Sequence, residues 1–356
     1  MTFILKNEKF VKSSNFALNS DVVYSEVISN SKNKQSSKLD IYVIDKNEYY
    51  TFYKLKNFEV QSGDIIFCNS LMLECLFYDL KNLKNISGLK VIFAQSDRLI
   101  GKKILKKIPK CVELVYSINL DHINDKTKPL PIGLANDYSP KNLLSDQIED
   151  KYNMSFTKDF KLYLNFNENT NFKHRGKLKP FFEEFEWTIV RKDQVSLEEY
   201  KNDLQKYQFI LCPWGNGIDT HRIWEALYSG SIPVIMEHKT FNNLNNLPII
   251  FVKNYSEITY ELLEKKLSEV KNNFKHDDFL NVDYWIKNIK SNSINKKRSS
   301  RLPKSTVKSS YLYYKLFSFK RKVNSAVKRK SKLLFFRYFQ IKKIFIKVLT
   351  MKIRKI

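Results

Sequence analysis

The sequence predicts an α/β protein with parallel strands, ending in a basic tail, and three observations carry that prediction. From about residue 63 to 290, short apolar runs alternate with segments whose apolar residues recur at helical spacing. Strands alternating with helices argue for parallel sheets covered on both faces. The segment 207–238, YQFILCPWGNGIDTHRIWEALYSGSIPVIMEH, compresses the same rhythm into strand, tight loop, helix and strand. Charge is the third observation. The formal net charge is +25, yet residues 295–356 hold 21 Lys and Arg and no Asp or Glu, leaving 41 basic and 37 acidic residues elsewhere. The body is nearly neutral, and the basicity belongs to the tail.

In chain order, the first 36 residues are polar and rich in Asn, Ser and Lys, with one strand expected over 21–28 and a second over 39–44. Residues 64–68 read as a buried strand. Met72, Leu76, Leu80 and Leu83 place a helix over 71–83. A strand over 89–94 ends in Gln95-Ser96-Asp97-Arg98, and a basic helix over 99–108 leads to a strand over 112–118. Leu130-Pro131-Ile132-Gly133-Leu134-Ala135-Asn136 closes this half, and the polar stretch 138–158 reads as a linker. The second half opens with a strand over 160–166, a helix over 171–185, a strand over 187–190 and a helix over 197–207. In the segment 207–238, Pro213 and Gly215-Asn216-Gly217 stop the strand. Asp219 or Thr220 is placed to cap the helix, and Gly230 to end it in a left-handed conformation. A strand over 249–252 and a helix over 258–270 follow, and a helix over 277–289 is placed to return to the first half.

Length and composition bound the rest. At 356 residues, 43% hydrophobic and 14% aromatic, the chain is globular and long enough for two domains. It shows no secretory leader pattern and no run of 18 apolar residues. Cys68, Cys75, Cys111 and Cys212 are scattered without metal-ligand spacing, as expected of reduced core thiols in a cytosolic protein. There is no solenoid-type repeat.

The chemistry concentrates before and inside the helix of segment 207–238. A helix start offers free N–H groups and partial positive charge, and a glycine turn lets an anion approach. Arg222 adds a fork of donors suited to phosphate. His221 is a further donor, and Glu225 suits ribose hydroxyls. Three of the eight glycines fall between 215 and 230. Asn216, Gly217, Asp219, Thr220, His221, Arg222 and Glu225 are therefore the expected site for a nucleotide diphosphate. The bland alternative is an ordinary strand–helix–strand crossover with a surface arginine.

Gly-Asn-Gly-Ile-Asp-Thr-His-Arg-Ile-Trp-Glu-Ala-Leu resembles the donor-binding segment of exostosin-type glycosyltransferases. It is also similar to the corresponding segment of bacterial α1,3-fucosyltransferases, with Arg222 at the place of their phosphate-binding lysine. The Glu-Ala-Leu…Gly…Ile-Pro-Val-Ile end resembles many two-domain GT-B glycosyltransferases, and the similarity is specific over about thirty residues. The resemblance implies a GT-B architecture, two Rossmann-like domains facing a cleft. The expected division is an acceptor-side domain over 1–137, a linker over 138–158, a nucleotide-sugar-binding domain over 159–275, a crossover helix over 276–294 and a membrane-associating tail over 295–356.

The resemblance also implies roles. Arg175, at the start of a helix after a strand, takes the place of a donor-phosphate arginine. Retaining GT-B enzymes carry two glutamates eight residues apart; Glu225 stands at the second place, but Gly217 occupies the first. That departure points to inversion, which needs a base in the first domain. Asp97 is the leading candidate, with Asp121 and His122 as alternatives. No Asp-x-Asp occurs, in keeping with a metal-independent reaction and no cofactor. The implied activity is sugar transfer from a nucleotide sugar to a glycan or lipid-linked acceptor in surface polysaccharide or lipopolysaccharide synthesis, peripheral on the cytoplasmic face of a membrane. The rival reading is a non-catalytic basic protein binding nucleic acid or anionic polymer. The body lacks basic stripes interleaved with aromatics, so no specific nucleic acid is expected. In the tail, Leu334, Tyr338, Ile341, Phe345 and Val348 fall on one helical face, with Lys332, Lys343 and Lys347 opposite. That pattern suits a helix lying in an anionic membrane surface.

Overall fold

The computed structural model describes residues 2–4, 8–31, 40–81, 83–148, 151–153, 156–193, 195–274, 278–291, 299–302, 306–312, 314–316, 318 and 319. In chain order its strands are β1 (Thr2–Ile4), β2 (Val22–Ser29), β3 (Ile41–Lys46), β4 (Tyr50–Leu55), β5 (Glu59–Gln61), β6 (Ile65–Asn69), β7 (Leu89–Ala94), β8 (Val112–Ser117), β9 (Thr127–Pro129), β10 (Lys151–Asn153), β11 (Asp159–Leu164), β12 (Thr188–Val190), β13 (Tyr207–Leu211), β14 (Ile232–Met236), β15 (Ile250–Val252) and β16 (Ser299–Arg301). Its helices are α1 (Ser13–Leu18), α2 (Leu73–Leu80), α3 (Lys102–Leu105), α4 (Phe172–Arg175), α5 (Leu178–Phe182), α6 (Leu197–Lys206), α7 (His221–Tyr228), α8 (Tyr260–Asn273) and α9 (Val282–Lys290). Residues 1–304 form one compact unit and 305–356 another.

Two large sheets organise the first unit. One has five strands in the order β12-β11-β13-β14-β15, all parallel. The other has seven, in the order β3-β4-β2-β6-β7-β8-β9. Its β2-β6-β7-β8-β9 part is parallel. Strand β4 runs antiparallel to both β2 and β3, so this sheet is mixed rather than wholly parallel. Asn47 explains the difference: its Oδ1 accepts from the backbone N–H of Tyr49 and of Tyr50, each at 2.9 Å, closing a hairpin that the strand–helix rhythm did not announce. Strands β6, β7 and β13 are buried along their whole length, as parallel central strands must be.

Two expected helices are shorter or broken. Over 99–108 only the single turn α3 forms, because Ile100 pairs with Leu120 as an extended bridge and Gly101 enters α3 from extended backbone. Over 171–185 the chain makes α4 and α5 instead of one helix. Gly176 ends α4 with its N–H on Phe172 O at 2.9 Å, and Pro180 brings no N–H to α5. Gly230 ends α7 with φ 71°, the left-handed conformation expected of it.

One apolar core joins residues of both sheets, among them Ile65, Ile92 and Tyr116 from the first and Ile210 and Ile235 from the second, with Trp224 and Trp285. Each such side chain contributes about 1.5–3 kcal/mol when fully buried. The N-terminal segment threads through this arrangement. Val11 N donates to Tyr228 Oη at 2.9 Å, and that hydroxyl donates to Leu280 O at 2.6 Å. Helix α9 starts on Lys9, whose carbonyl accepts from Val282 N at 2.8 Å. Near its end Ile289 O accepts from Lys90 Nζ of β7 at 2.6 Å. Gly133, with φ 70°, lies so close to this segment that a Cβ there would stand 1.9 Å from Val11 O.

The four cysteines are free and buried, and burial raises their thiol pKa values, leaving packed, unreactive groups. Among the described residues no helix is long and apolar enough to cross a membrane. In the second unit the described residues over 306–319 are helical, with Leu312, Leu316 and Phe319 exposed. The amphipathic pattern over 332–348 lies outside the described residues.

Candidate functional site

The loop 212–220, between β13 and α7, is shaped by its glycines and by the partners they admit. A Cβ on Gly215 would meet Arg175 Nη2 at 3.1 Å, and one on Gly217 would meet the Asn119 amide at 2.6 Å. Asn119 follows β8 and holds φ 51°, a conformation asparagine tolerates better than most residues. Its Oδ1 accepts from the backbone N–H of Ile218 at 2.8 Å and of Asp219 at 3.0 Å. Both oxygens of Asp219 are engaged: Oδ2 accepts from Ile132 N at 2.7 Å, and Oδ1 from Trp224 Nε1 at 3.2 Å. Burial pushes this carboxyl up to about 7 in spite of those bonds. The expected cap on α7 is not made. Thr220 occupies the N-cap position without a side-chain cap bond, and Asp219 faces the first sheet instead. The start of α7 thus keeps donors unmet by any side chain.

Arg222 lies in the first turn of α7. No hydrogen bond or ion pair from a described residue engages its guanidinium, and its Nε is buried without a partner. Burial opposes its charge, while Tyr200 and Glu225 favour it at longer range. Arg175 is close enough to repel it, and burial together with that repulsion lowers Arg175 to about 10. Arg175 is fixed by three carbonyls: Nε donates to Trp214 O at 2.9 Å, Nη1 to Asn167 O at 3.1 Å and Nη2 to Pro213 O at 2.9 Å. Glu225 is buried, its Oε2 accepting from Tyr200 Oη at 2.8 Å. Glu225 Oε1, Thr220 Oγ1 and Trp214 Nε1 are also buried without partners. Buried polar groups are normally satisfied. Two neighbouring guanidinium groups and the unmet donors at one helix start make a site that an anion would complete, while Glu225 Oε1, an acceptor, calls for a hydroxyl.

The other expected residues fall around this centre. Asn216 is exposed, and His221 Nδ1 stands 2.8 Å from Gly133 O. Asp97 is exposed beyond β7, on a segment held by Arg98, which pairs with Glu74 and donates to Ser70 O at 3.0 Å. No described contact joins Asp97 to Arg222. Asp121 Oδ1 lies 3.2 Å from His238 Nε2, and Thr240 N donates to His238 Nδ1 at 3.1 Å, so the imidazole proton faces Asp121. His122 is half-buried and accepts from Thr127 Oγ1 through its carbonyl at 3.4 Å. The Trp214 ring sits between those of His174 at 4.9 Å and His238 at 5.3 Å. Beside His238, at the end of β14, an open pocket of about 460 Å³ is lined by Glu237, Lys239, Phe241, Asn242 and Phe251. Asn119, Tyr200 and His238 were not foreseen as partners of this site. Asn119 carried one signal, an asparagine just past a strand.

Residues 172–299 match the family model of the RXYLT1 C-terminal domain, a span that contains Arg175, the loop and α7. Over 87 residues the chain is 32% identical to ribitol-5-phosphate xylosyltransferase 1 of Homo sapiens, covering 20% of each chain. Over 105 residues it is 28% identical to a probable glycosyltransferase of Arabidopsis thaliana, covering 28% of this chain and 21% of that protein. Both relatives are glycosyltransferases by name, and the chain spans about a fifth of their length.

Proposed function

We propose that the protein is a glycosyltransferase that moves a sugar from a nucleotide-sugar donor to a glycan or lipid-linked acceptor. The observation that carries this reading is half-buried Arg222 at the start of α7, its Nε buried and without a partner among the described residues, beside Arg175. A nucleotide diphosphate would neutralise both cations and meet the open donors of the helix start. The glycosyltransferase names of the relatives support the same class.

The reaction we propose is a single displacement in a GT-B-type arrangement. The acceptor oxygen attacks the anomeric carbon as the bond to the diphosphate breaks, and Arg222 stabilises the charge gathering on the leaving phosphate. Asp97 takes the acceptor's proton. Gly217 supports inversion, because it stands where a retaining enzyme of the resembled type has a carboxylate. The two arginines support a reaction without a metal, because they supply the positive charge a metal would. A thermal-shift series is expected to show stabilisation by UDP or GDP and none by oligonucleotides. With the donor identified, the product anomer is expected to be opposite to the donor's, and activity is expected to survive EDTA. A retained configuration by NMR, or strict dependence on Mn²⁺, would overturn the mechanism.

Work in surface polysaccharide or lipopolysaccharide assembly, on the cytoplasmic face of a membrane, belongs to the same proposal. Its support is the charge of residues 295–356. Each basic residue near an anionic leaflet contributes on the order of 1 kcal/mol. Deleting residues 295–356 is expected to release the protein from anionic vesicles while leaving nucleotide stabilisation intact. Unchanged vesicle binding would end the anchor idea.

A further inference from the structure

Glu26 is the carboxyl the site described above does not use. Strand β2 is parallel to β6 up to the pairing of Ser25 with Cys68, so Glu26 lies at the carboxyl edge of the parallel part of the seven-stranded sheet. The segments carrying Asn119, Ile132 and Gly133 follow strands of the same sheet, and they meet the loop before α7. Glu26 is half-buried, and no described cation pairs with it. Tyr53 Oη donates to its Oε2 at the long distance of 3.4 Å.

The groups around Glu26 carry hydroxyls and amides rather than charges. Gln95, two residues before Asp97, is locked against β2: it accepts from Val27 N at 2.7 Å and donates to Val27 O at 3.1 Å. It holds φ 58°, a left-handed conformation that glutamine rarely adopts and that concentrates at functional positions. Tyr138 Oη accepts from Asn136 Nδ2 at 3.2 Å, and its own proton has no acceptor among the described residues. The Tyr138 ring meets Tyr50 edge to face at 6.0 Å, and Tyr50 Oη is taken by exposed Asp45 at 2.9 Å. A half-open carboxyl, an unspent phenol and aromatic walls are thus gathered beside the Asp97 segment.

We propose that Glu26, Gln95 and Tyr138 form a subsite for an uncharged polyhydroxylated ligand, a sugar unit or polyol of the acceptor. The proposal rests on the glycosyl-transfer reading above, and it names the face on which that acceptor lies. Burial pushes the Glu26 carboxyl up to about 8, and its bonds from Tyr53 and Gln95 only partly offset this. The groups facing it are Tyr53 from β4, Gln95 after β7 and Tyr138 after β9, and none is a cation. At neutral pH the carboxyl is therefore protonated. It both donates and accepts, as a sugar hydroxyl requires, and it does not demand a counter-ion. Above the transition it only accepts, and it draws the Tyr138 proton to itself, so both groups are lost as donors to a ligand.

Ligand-observed NMR on the full chain, with methyl α-glucopyranoside and sorbitol as probes, tests this. Wild-type affinity is expected to fall about tenfold between pH 7 and pH 9, the ratio of protonated carboxyl at those two values. Glu26→Gln, which still donates and accepts, should keep the affinity found at pH 7 and lose the pH dependence. Glu26→Ala should weaken binding at least about tenfold, since it leaves the site's hydroxyl and amide partners unmet. Equal binding by wild type and Glu26→Ala, or no binding of either probe at about 100 mM, a concentration suited to weak single-sugar contacts, overturns the subsite. Stabilisation by UDP or GDP is measured on the same samples and should be the same in all three proteins. Failure of nucleotide stabilisation in the wild type strikes the donor reading, whereas its survival with no sugar response strikes only the subsite.

Discussion

Replacing Arg222 by methionine is expected to abolish most transfer while leaving the protein folded and of similar stability. An ordinary buried arginine sits in a hydrogen-bonded pair, and removing it strands its partner. Arg222 has no hydrogen-bonded partner among the described residues, and it raises the cost of burying Arg175, although Tyr200 and the buried Glu225 favour its charge. Taking its charge away removes a desolvation penalty and a like-charge repulsion together with those attractions, and methionine refills part of the volume. The ligand-free melting temperature should therefore change little. Activity should fall far. Loss of a preorganised donor aimed at developing charge costs about 2.7–4 kcal/mol, or roughly a hundred- to a thousandfold in kcat/KM. Arg222→Lys should lie between, keeping the charge but not the fork. Stabilisation by the nucleotide should vanish in the methionine variant. Near wild-type turnover in that variant would remove Arg222 from the mechanism.

Gly133→Ala is expected to cost more stability than any other single methyl addition among the glycines whose surroundings are described. Its backbone is left-handed, which an L side chain pays for with about 1–3 kcal/mol. The new Cβ would also fall 1.9 Å from the Val11 carbonyl oxygen, a position that only displacement of backbone can relieve. Overpacking of this kind adds about 1–3 kcal/mol. Together these are a large share of a total stability on the order of 5–15 kcal/mol. The shift moves more than one contact. Val11 O holds Leu134 N at 2.8 Å, Val11 N lies on Tyr228, and Gly133 O holds His221. The melting temperature should fall by on the order of 10 °C, and nucleotide binding should weaken with it. An alanine variant that melts with the wild type would mean that the N-terminal segment does not pack there in solution.

Much of the α/β rhythm was legible because buried parallel strands must be apolar along their length. Ile65–Asn69, Leu89–Ala94 and Tyr207–Leu211 announce themselves in that way. The hairpin of β3 and β4 was not, since it depends on one asparagine side chain bonding two backbone N–H groups. Periodicity also promised a helix from residue 99, where pairing of Ile100 with Leu120 draws the chain out straight. At the site, the loop and its arginine could be read from residue types and spacing. What could not be read was direction. Asp219 sits at the position of a helix cap, yet it turns to Ile132, 87 residues away in the chain. Glu26 gave no signal, because its environment is assembled from three strands and a loop that only the fold brings together.

The grip of Asn119 and Ile132 on residues 218 and 219 bears on how such chains could be recombined. The span similar to the RXYLT1 C-terminal domain contains the loop before α7 but not Asn119 and Ile132, which hold it in shape. A chimera that grafts the second half of this chain onto another first half would inherit the arginines without their mould. To pass on a working loop, the transplant would have to carry residues 119–133 as a block, or land on a host that offers an amide and a backbone N–H at the same two places. The unit of inheritance for this site is therefore a seam between two sheets, wider than the segment that sequence similarity marks out.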